Sequence, residues 1–133
     1  MKQRERLVTL GIGIVVGALI SFGISAQQQQ TGKRTQLLKK DVVGCEGKEV
    51  VVSTLEVGPR VSPDHFHPGE SFTYLAEGTQ TRTAQGKEPV TMQAGGLIYD
   101  APYQVHKTEN TSPVKLFIVR ILDKGKPETS RMQ

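Results

Sequence analysis

Glycine and proline divide the chain beyond Ala26 into short runs rich in β-branched and aromatic residues, and this division limits the possible folds. The runs at 48–59 and 114–127 have the composition of β-strands, and Gly95-Gly96 separates two more. No stretch of about eleven residues in this region repeats its apolar residues with the helical spacing of about 3.6. Roughly seven or eight short strands at such intervals predict an all-β domain, either a sandwich or a single small β-barrel.

The N-terminal residues have the pattern of an export signal. A short basic segment, 1–6, precedes an uncharged apolar stretch, 7–26, and cytoplasmic Lys and Arg residues direct the following domain out of the cytoplasm. The stretch matches the roughly 20 residues that cross a bilayer, while Ser25 and Ala26 offer a position for peptidase cleavage. We therefore predict a periplasmic or otherwise extracytoplasmic protein in which residues 1–26 are a signal peptide or a membrane anchor. The Gln-rich segment 27–35 is predicted to be a polar linker.

One domain is predicted after the linker, from residue 36 to residue 124, with a charged C-terminal segment, 125–133, that we expect to be loose. The net charge of +4 lies partly in the first six residues, and the other basic residues alternate with acidic ones. Because there is no basic block with aromatic residues, nucleic-acid binding is not expected. Cys45 is the only cysteine, so the fold depends on its core and not on an intramolecular disulfide.

Two of the three histidines, His65 and His67, stand one residue apart at the start of a predicted strand. Side chains alternate along a strand, so both imidazoles are expected on one face and Phe66 on the other. The third histidine, His106, lies in a later strand that a barrel can bring alongside the pair. Histidines on one face of a strand also occur without a metal, but three together are a ligand set for a divalent ion. The pattern indicates a candidate metal site at the mouth of the barrel.

The segments around these histidines resemble the two sequence motifs of the cupins, small β-barrel proteins of the germin and single-domain bacterial type. The first segment, 58–78, has a glycine at each end and the His-x-His pair between them, and the second, 96–110, runs from glycine through proline and histidine to asparagine. The matching positions are Gly58, His65, His67, Gly78, Gly96, Pro102, His106 and Asn110. The resemblance covers about residues 38–123 and implies a cupin-2-type jelly-roll barrel that binds a metal ion.

The sequence departs from the cupin pattern at the fourth metal ligand. In the family a glutamate follows the second histidine after three residues, but that position is Ser71 here and Glu70 stands one residue earlier. One residue in a strand turns a side chain to the opposite face, so Glu70 is a ligand only if Pro68-Gly69 changes the phase of the strand. Two ligand sets stay open, namely the three histidines with Glu70 or the three histidines with open coordination positions.

The resemblance implies a metal-dependent enzyme, oxygenase-like or lyase-like, that acts on a small organic molecule. A site of this kind favours Fe, Mn or Ni, with Zn also possible, and Glu70 or Tyr103 is expected to be the catalytic residue that handles a proton. One alternative is a non-catalytic module at the membrane that binds or senses a metal or small molecule, and another is a structural domain with a vestigial site. Small cupins commonly pair, so a homodimer is also expected.

Overall fold

The computed structural model describes residues 32–132, so the predicted export segment 1–26 and most of the predicted linker 27–35 lie outside the described residues. The strands are β1 (Lys33–Asp41), β2 (Lys48–Val57), β3 (Arg60–Val61), β4 (His65–Phe66), β5 (Glu70–Glu77), β6 (Thr79–Ala84), β7 (Val90–Gln93), β8 (Leu97–Asp100), β9 (His106–Asn110), β10 (Val114–Asp123) and β11 (Ser130–Arg131). Between residues 32 and 132, no helix is long and apolar enough to cross a membrane.

The strands form two antiparallel sheets, which confirms the predicted all-β fold. One sheet has the order β1-β2-β10-β5-β8, and the other has the order β11-β4-β9-β6-β7 with β3 paired to β9. Strands far apart in the chain are neighbours in both sheets, as in a jelly roll. The structure has more strands than predicted partly because Pro59, Pro63 and Pro68 interrupt the chain around β3 and β4. Proline has no backbone N–H to donate to a neighbouring strand, and both strands are only two residues long.

The apolar core fills one end of the space between the sheets. Every second side chain of β10 is buried, as expected for a strand with one face toward the interior. Leu75 on β5 is fully buried against these side chains. Removing such side chains from water contributes about 25 cal/mol for each Å² of apolar surface. The core therefore stabilises this end of the domain and leaves the other end free for polar residues. Its members are Val57, Leu75, Met92, Val114, Leu116 and Ile118.

The opposite end of the same interior is polar. The alternation of β10 continues to Arg120, which pairs with Ser71 on β5, and Ser71 pairs with Asp100 on β8. All three residues are buried. On the other sheet, His65 of β4 pairs directly with His106 of β9. Buried polar groups require partners, so this end of the domain concentrates the hydrogen bonds and charges from which a functional site can be built.

The described part of the C-terminal segment, residues 125–132, is not loose, contrary to the prediction from its charged sequence. Its residues Ser130 and Arg131 form β11, which pairs with β4, and the Glu128 carboxylate accepts a hydrogen bond of 2.8 Å from the buried Arg120. These contacts join positions far apart in the chain, so local composition gave no sign of them. The first strand also begins at Lys33, inside the predicted linker. Both ends of the described chain therefore belong to the domain.

Candidate metal centre

Strands β4 and β9 bring the three histidines together. His65 and His106 are paired across these strands, and His67 follows the end of β4. The ring centroids are 4.3 Å apart for His65 and His106, 5.1 Å for His67 and His106, and 5.3 Å for His65 and His67. One ligand atom from each histidine lies within 4.8 Å of the other two. This spacing is compatible with three nitrogens around one divalent ion, each about 2.0–2.1 Å from it.

Backbone carbonyl groups fix the tautomer of all three histidines. A carbonyl oxygen only accepts hydrogen bonds, so each bonded Nδ1 must carry the proton and donate it, which leaves a lone pair on each Nε2. Metal-binding histidines are oriented by this kind of second hydrogen bond. The three side chains therefore fit a divalent ion, with Nε2 as the ligand atom. The acceptors are the carbonyl oxygens of Pro63, Glu128 and Gln104, at 2.9, 2.8 and 2.9 Å from His65, His67 and His106 respectively.

All three imidazoles are kept in their neutral form. Burial lowers the pKa of His67 to about 2, and the positive charge of Arg120 adds to this effect. Burial is also the largest cause of the lowered pKa of His65 and of His106. A histidine must be neutral to bind a metal ion. The environment therefore selects the protonation state that metal binding requires.

We expect the stability of the metal-free protein to fall as the pH drops below about 6.5. In that range the unfolded chain protonates His67 at its ordinary pKa, but the folded chain does not, so protonation favours unfolding. At pH 5.5 the loss from His67 alone is about 1.4 kcal/mol relative to pH 7.5. Urea denaturation of the metal-stripped chain at the two pH values measures it. A His67→Asn variant, which keeps an N–H donor but does not titrate, should show a smaller loss, and equal losses would contradict the prediction.

Glu70 lies outside the histidine group, so its position does not support its predicted roles as a metal ligand and as the residue that handles a proton. Pro68-Gly69 does not change the phase of the strand, because Ser71 is buried in the interior and Glu70 is on the outer face of β5. There the hydroxyl of Tyr99 lies 3.5 Å from the Glu70 carboxylate. The position at which the cupin motif has a glutamate therefore carries only the short hydroxyl of Ser71.

Tyr103 is also outside the cavity, so its predicted role in proton transfer is not supported by its position. Its side chain is 58% exposed, and its ring packs against Phe66 with the centroids 5.8 Å apart. The backbone of Tyr103 has a φ of 63°, in the left-handed region that favours glycine. The turn thus keeps the backbone geometry for which cupins commonly use glycine, although a tyrosine stands here.

A buried ion pair that was not predicted stands beside the histidines. Oδ2 of Asp100 lies 3.9 Å from Nε2 of His106, and the other carboxylate oxygen contacts the guanidinium of Arg82. Burial raises the pKa of Asp100, while the charge of Arg82 acts in the opposite direction. The burial of Asp100 could have been predicted from the sequence, because side chains alternate along β8 and Asp100 is on the same face as Ile98. The carboxylate nearest to the histidines is therefore on β8 and not on β5.

Arg120 connects His67 to the C-terminal segment. Its Nη2 donates to the lone pair of His67 Nε2 at 3.3 Å, a hydrogen bond that must break when this nitrogen binds an ion, and its Nη1 donates to the Glu128 carboxylate at 2.8 Å. Arg34 donates to the same carboxylate at 2.6 Å. Burial, reinforced by the charge of Arg34, lowers the pKa of Arg120 to about 10, which leaves it cationic at neutral pH. Two arginines thus share one acidic partner next to the histidines.

The three histidines line a cavity of about 220 Å³ between the two sheets. Thr73 and Ile98 contribute to the wall from the five-stranded sheet. On the other sheet, Gln80 donates a hydrogen bond of 2.8 Å to Asn110, the asparagine of the second cupin motif. Asn110 is therefore a hydrogen-bonding wall residue. The cavity combines neutral imidazoles, buried charges and aliphatic surface in one small space.

The domain is a jelly roll, and three histidines converge on the wall of its internal cavity. These two features place the chain in a class of small barrel proteins that have a site suited to a divalent metal ion. The family model of the cupin domain, Cupin_2, matches residues 51–120 of this sequence, more than half of the chain. The chain therefore belongs to the cupin family, which confirms the resemblance seen in its motifs. A comparison of the sequence with curated proteins finds no match.

Solved structures share the fold at low sequence identity. A cupin superfamily protein from Desulfitobacterium hafniense is 11% identical, with a TM-score of 0.59 over 70% of this chain and 79% of that one. The DMSP lyase DddQ from Ruegeria pomeroyi is 14% identical, with a TM-score of 0.64 over 76% of this chain and 51% of the lyase. An RmlC-like cupin from Methanocaldococcus jannaschii is 15% identical, with a TM-score of 0.57 over 73% and 85% of the two chains. At these identities the similarity shows the fold alone.

Proposed function

We propose that this protein is a metal-dependent cupin enzyme that acts on a small organic molecule in an oxygenase-like or lyase-like reaction. The observation that carries the proposal is the convergence of three neutral histidines, with their ligand atoms within 4.8 Å of one another, on the wall of a cavity. The hydrogen bond at Nδ1 leaves a lone pair on each Nε2, and the lone pair of His67 becomes available to an ion when Arg120 releases it. The likeness to a DMSP lyase is consistent with lyase chemistry but concerns a protein only 14% identical.

The proposed cofactor is a divalent ion held by His65, His67 and His106 with open positions for substrate. Three nitrogen ligands with vacancies favour Fe, Mn or Ni, and Zn is compatible with the same ligands. When bound, such an ion supplies Lewis acidity toward an oxygen atom of the substrate. The set that includes Glu70 is not carried forward, because that carboxylate is on the outer face of β5.

The residue proposed to accept or return a proton is Asp100. Its carboxylate lies beside His106 and lines the cavity, and burial raises its pKa, which makes the anion a stronger base than an exposed aspartate. The contact with Arg82 favours the ionised form and fixes the position of the carboxylate. Arg120 is placed next to His67, where it can orient that imidazole or a bound anion.

The test is the metal content of the full chain, purified without affinity histidines or chelators and measured by mass spectrometry. We expect about one equivalent of a divalent metal per chain, and its identity selects the reactions to assay. A His65→Ala, His67→Ala double variant should contain none. If the wild-type chain contains no metal and takes up none on reconstitution, the proposed function is wrong.

The alternative is a module that binds or senses a metal or small molecule without catalysis. Such a module needs no acid or base beside its ligand, and the carboxylate of Asp100 within 3.9 Å of His106 favours the enzyme instead. The two are separated by an assay of turnover in Asp100→Asn after its metal content has been restored to that of the wild type: turnover of a small substrate by the wild type that the variant loses would favour the enzyme. Tight binding of the substrate without turnover would favour the module.

We also propose that the protein is exported and held at the membrane by residues 1–26, or released from it by cleavage. The proposal rests on the basic segment followed by the uncharged apolar stretch of the sequence. Export can be tested by fusing a reporter enzyme to the C-terminus of the chain, using a reporter that is active only outside the cytoplasm. An inactive fusion that accumulates in the cytoplasm would contradict export.

A second copy of this chain is the proposed protein partner. The outer face of the five-stranded sheet carries a continuous apolar surface in which Phe72 and Tyr99 stack with centroids 5.2 Å apart. Beside them Tyr74, Phe117 and Leu97 are directly paired across three strands, and Leu97 is 65% exposed. Contiguous apolar surfaces of this kind mark protein contacts. Sedimentation equilibrium should give a dimer that Phe117→Lys converts to monomer, and a wild-type monomer would contradict the proposal.

A further inference from the structure

The cavity beside the histidines has an excess of positive charge. Five arginines line it, and in the described part of the chain their acidic partners are Asp100 and Glu128. Arg82 pairs with Asp100, while two arginines share Glu128. Within residues 32–132 the remaining two form no ion pair. With the histidines neutral, the cavity therefore carries more cationic groups than its own carboxylates balance. The arginines are Arg34, Arg60, Arg82, Arg120 and Arg131.

The two arginines outside the ion pairs reach the cavity from known strand positions. Arg131 of β11 is directly opposite His65 of β4, which is in turn opposite His106 of β9. Residues directly opposite each other in neighbouring strands have their side chains on the same face. Arg131 is therefore next to the histidines in one row of the sheet. Arg60 of β3 is opposite Asn110 of β9, further along the same cavity.

The facing wall has an aliphatic part beside Thr73, Asp100 and Arg120, and the space is small. Leu55, Ile98, Leu116 and Ile118 line the side formed by the five-stranded sheet. The volume of about 220 Å³ equals that of about seven water molecules in the liquid, at about 30 Å³ each. A ligand enclosed by this space is therefore small, and an anionic group with a short carbon skeleton matches the arginines and the aliphatic part of the wall.

We propose that the cavity selects a small organic carboxylate of about seven to ten non-hydrogen atoms, which is recognised by Arg131 beside the histidines and by Arg60 further along the wall. This inference rests on the proposed function, because it names the substrate class of the same site. The planar guanidinium group matches a carboxylate with two parallel hydrogen bonds. The carboxylate oxygens of such a ligand also suit the open coordination positions of a metal ion held by three histidine nitrogens.

Succinate is a suitable probe, and its neutral counterpart succinamide has nearly the same shape. Isothermal titration of both into the full chain, at one ionic strength, should give binding of succinate at least about tenfold tighter than that of succinamide. Inorganic phosphate is the third ligand, because arginines also bind phosphate. Phosphate that binds more tightly than succinate, or succinamide that binds equally well, would overturn the proposal.

The variant Arg131→Gln removes the charge from an exposed residue and should weaken succinate binding by about tenfold or more. Arg60→Gln should also weaken it. The control is Lys107→Gln, which removes one positive charge from the outer face of β9, next to His106 in the chain, and should change binding less than about twofold. Equal effects of the arginine and lysine variants would show non-specific attraction and overturn the proposal. Thermal unfolding of each variant, expected to match the wild type, checks that the fold is intact.

Metal content, measured on the same samples, separates this inference from the proposed function. A chain that holds a metal but shows no arginine-dependent binding of succinate would keep the proposed function and refute the carboxylate site. A chain without metal that binds succinate through Arg131 would refute the metal enzyme and support the anion site.

Discussion

Asp100→Ala is expected to lower the free energy of unfolding by about 3–5 kcal/mol, the largest effect of any single substitution considered for stability. The variant leaves the guanidinium of Arg82 without its acidic partner in the polar end of the interior. Burial already lowers the pKa of Arg82, and the charge of Asp100 is what opposes that effect. An uncompensated buried cation is costly because it loses water without gaining a partner.

Replacement of both partners by apolar residues tests whether the loss comes from the ion pair. Arg82→Met with Asp100→Leu removes both charges and keeps similar volumes, and such replacements are often neutral. We expect the double variant to unfold within about 1 kcal/mol of the wild type in urea, and therefore to be more stable than Asp100→Ala. Asp123→Ala, which breaks an exposed pair with Lys48 at 2.6 Å, is the control and should change stability little. A double variant as unstable as Asp100→Ala would show that packing, and not charge, accounts for the loss.

The histidines could be predicted because their arrangement depends on local alternation and on the family motifs. His65 and His67 converge although β4 contains only two residues, since an extended backbone keeps its period of two beyond the paired segment. The same rule placed Glu70 on the opposite face from Ser71, and the proline-glycine pair does not overturn it.

The charged residues of the cavity were harder to predict, although part of the signal was present. Arg120 occupies an inward position in the alternation of β10, between Ile118 and Leu122, so its burial could have been read from the sequence. The partners of Arg120 could not be predicted from the sequence, because Glu128 belongs to a polar segment without strand periodicity. That segment reaches the site through the pairing of β11 with β4 and through its hydrogen bonds to Arg120 and His67. Long-range pairing of this kind leaves no local pattern.

Each of the single variants His65→Ala, His67→Ala and His106→Ala is expected to weaken the binding of a divalent metal by at least about 100-fold. Loss of a residue that only orients a metal ligand typically costs about 10–100-fold in affinity, so loss of a ligand itself should cost more. Within residues 32–132, no fourth side chain belongs to the proposed ligand group, so none is available to compensate. Competition between the full chain and a chromophoric chelator for Zn²⁺ measures the affinity.

Glu70→Gln is the matched control, because it tests the ligand set that the sequence left open. The Glu70 carboxylate is on the outer face near Tyr99, so its neutralisation should leave Zn²⁺ affinity within about twofold of the wild type. Asp100→Asn, by contrast, removes a negative charge near His106 and should weaken binding moderately, because an anion close to a cation site favours the bound ion. A loss with Glu70→Gln as large as that with His67→Ala would mean that Glu70 reaches the metal, and the site would then have four protein ligands. Unchanged affinity in all three histidine variants would show that the metal binds elsewhere.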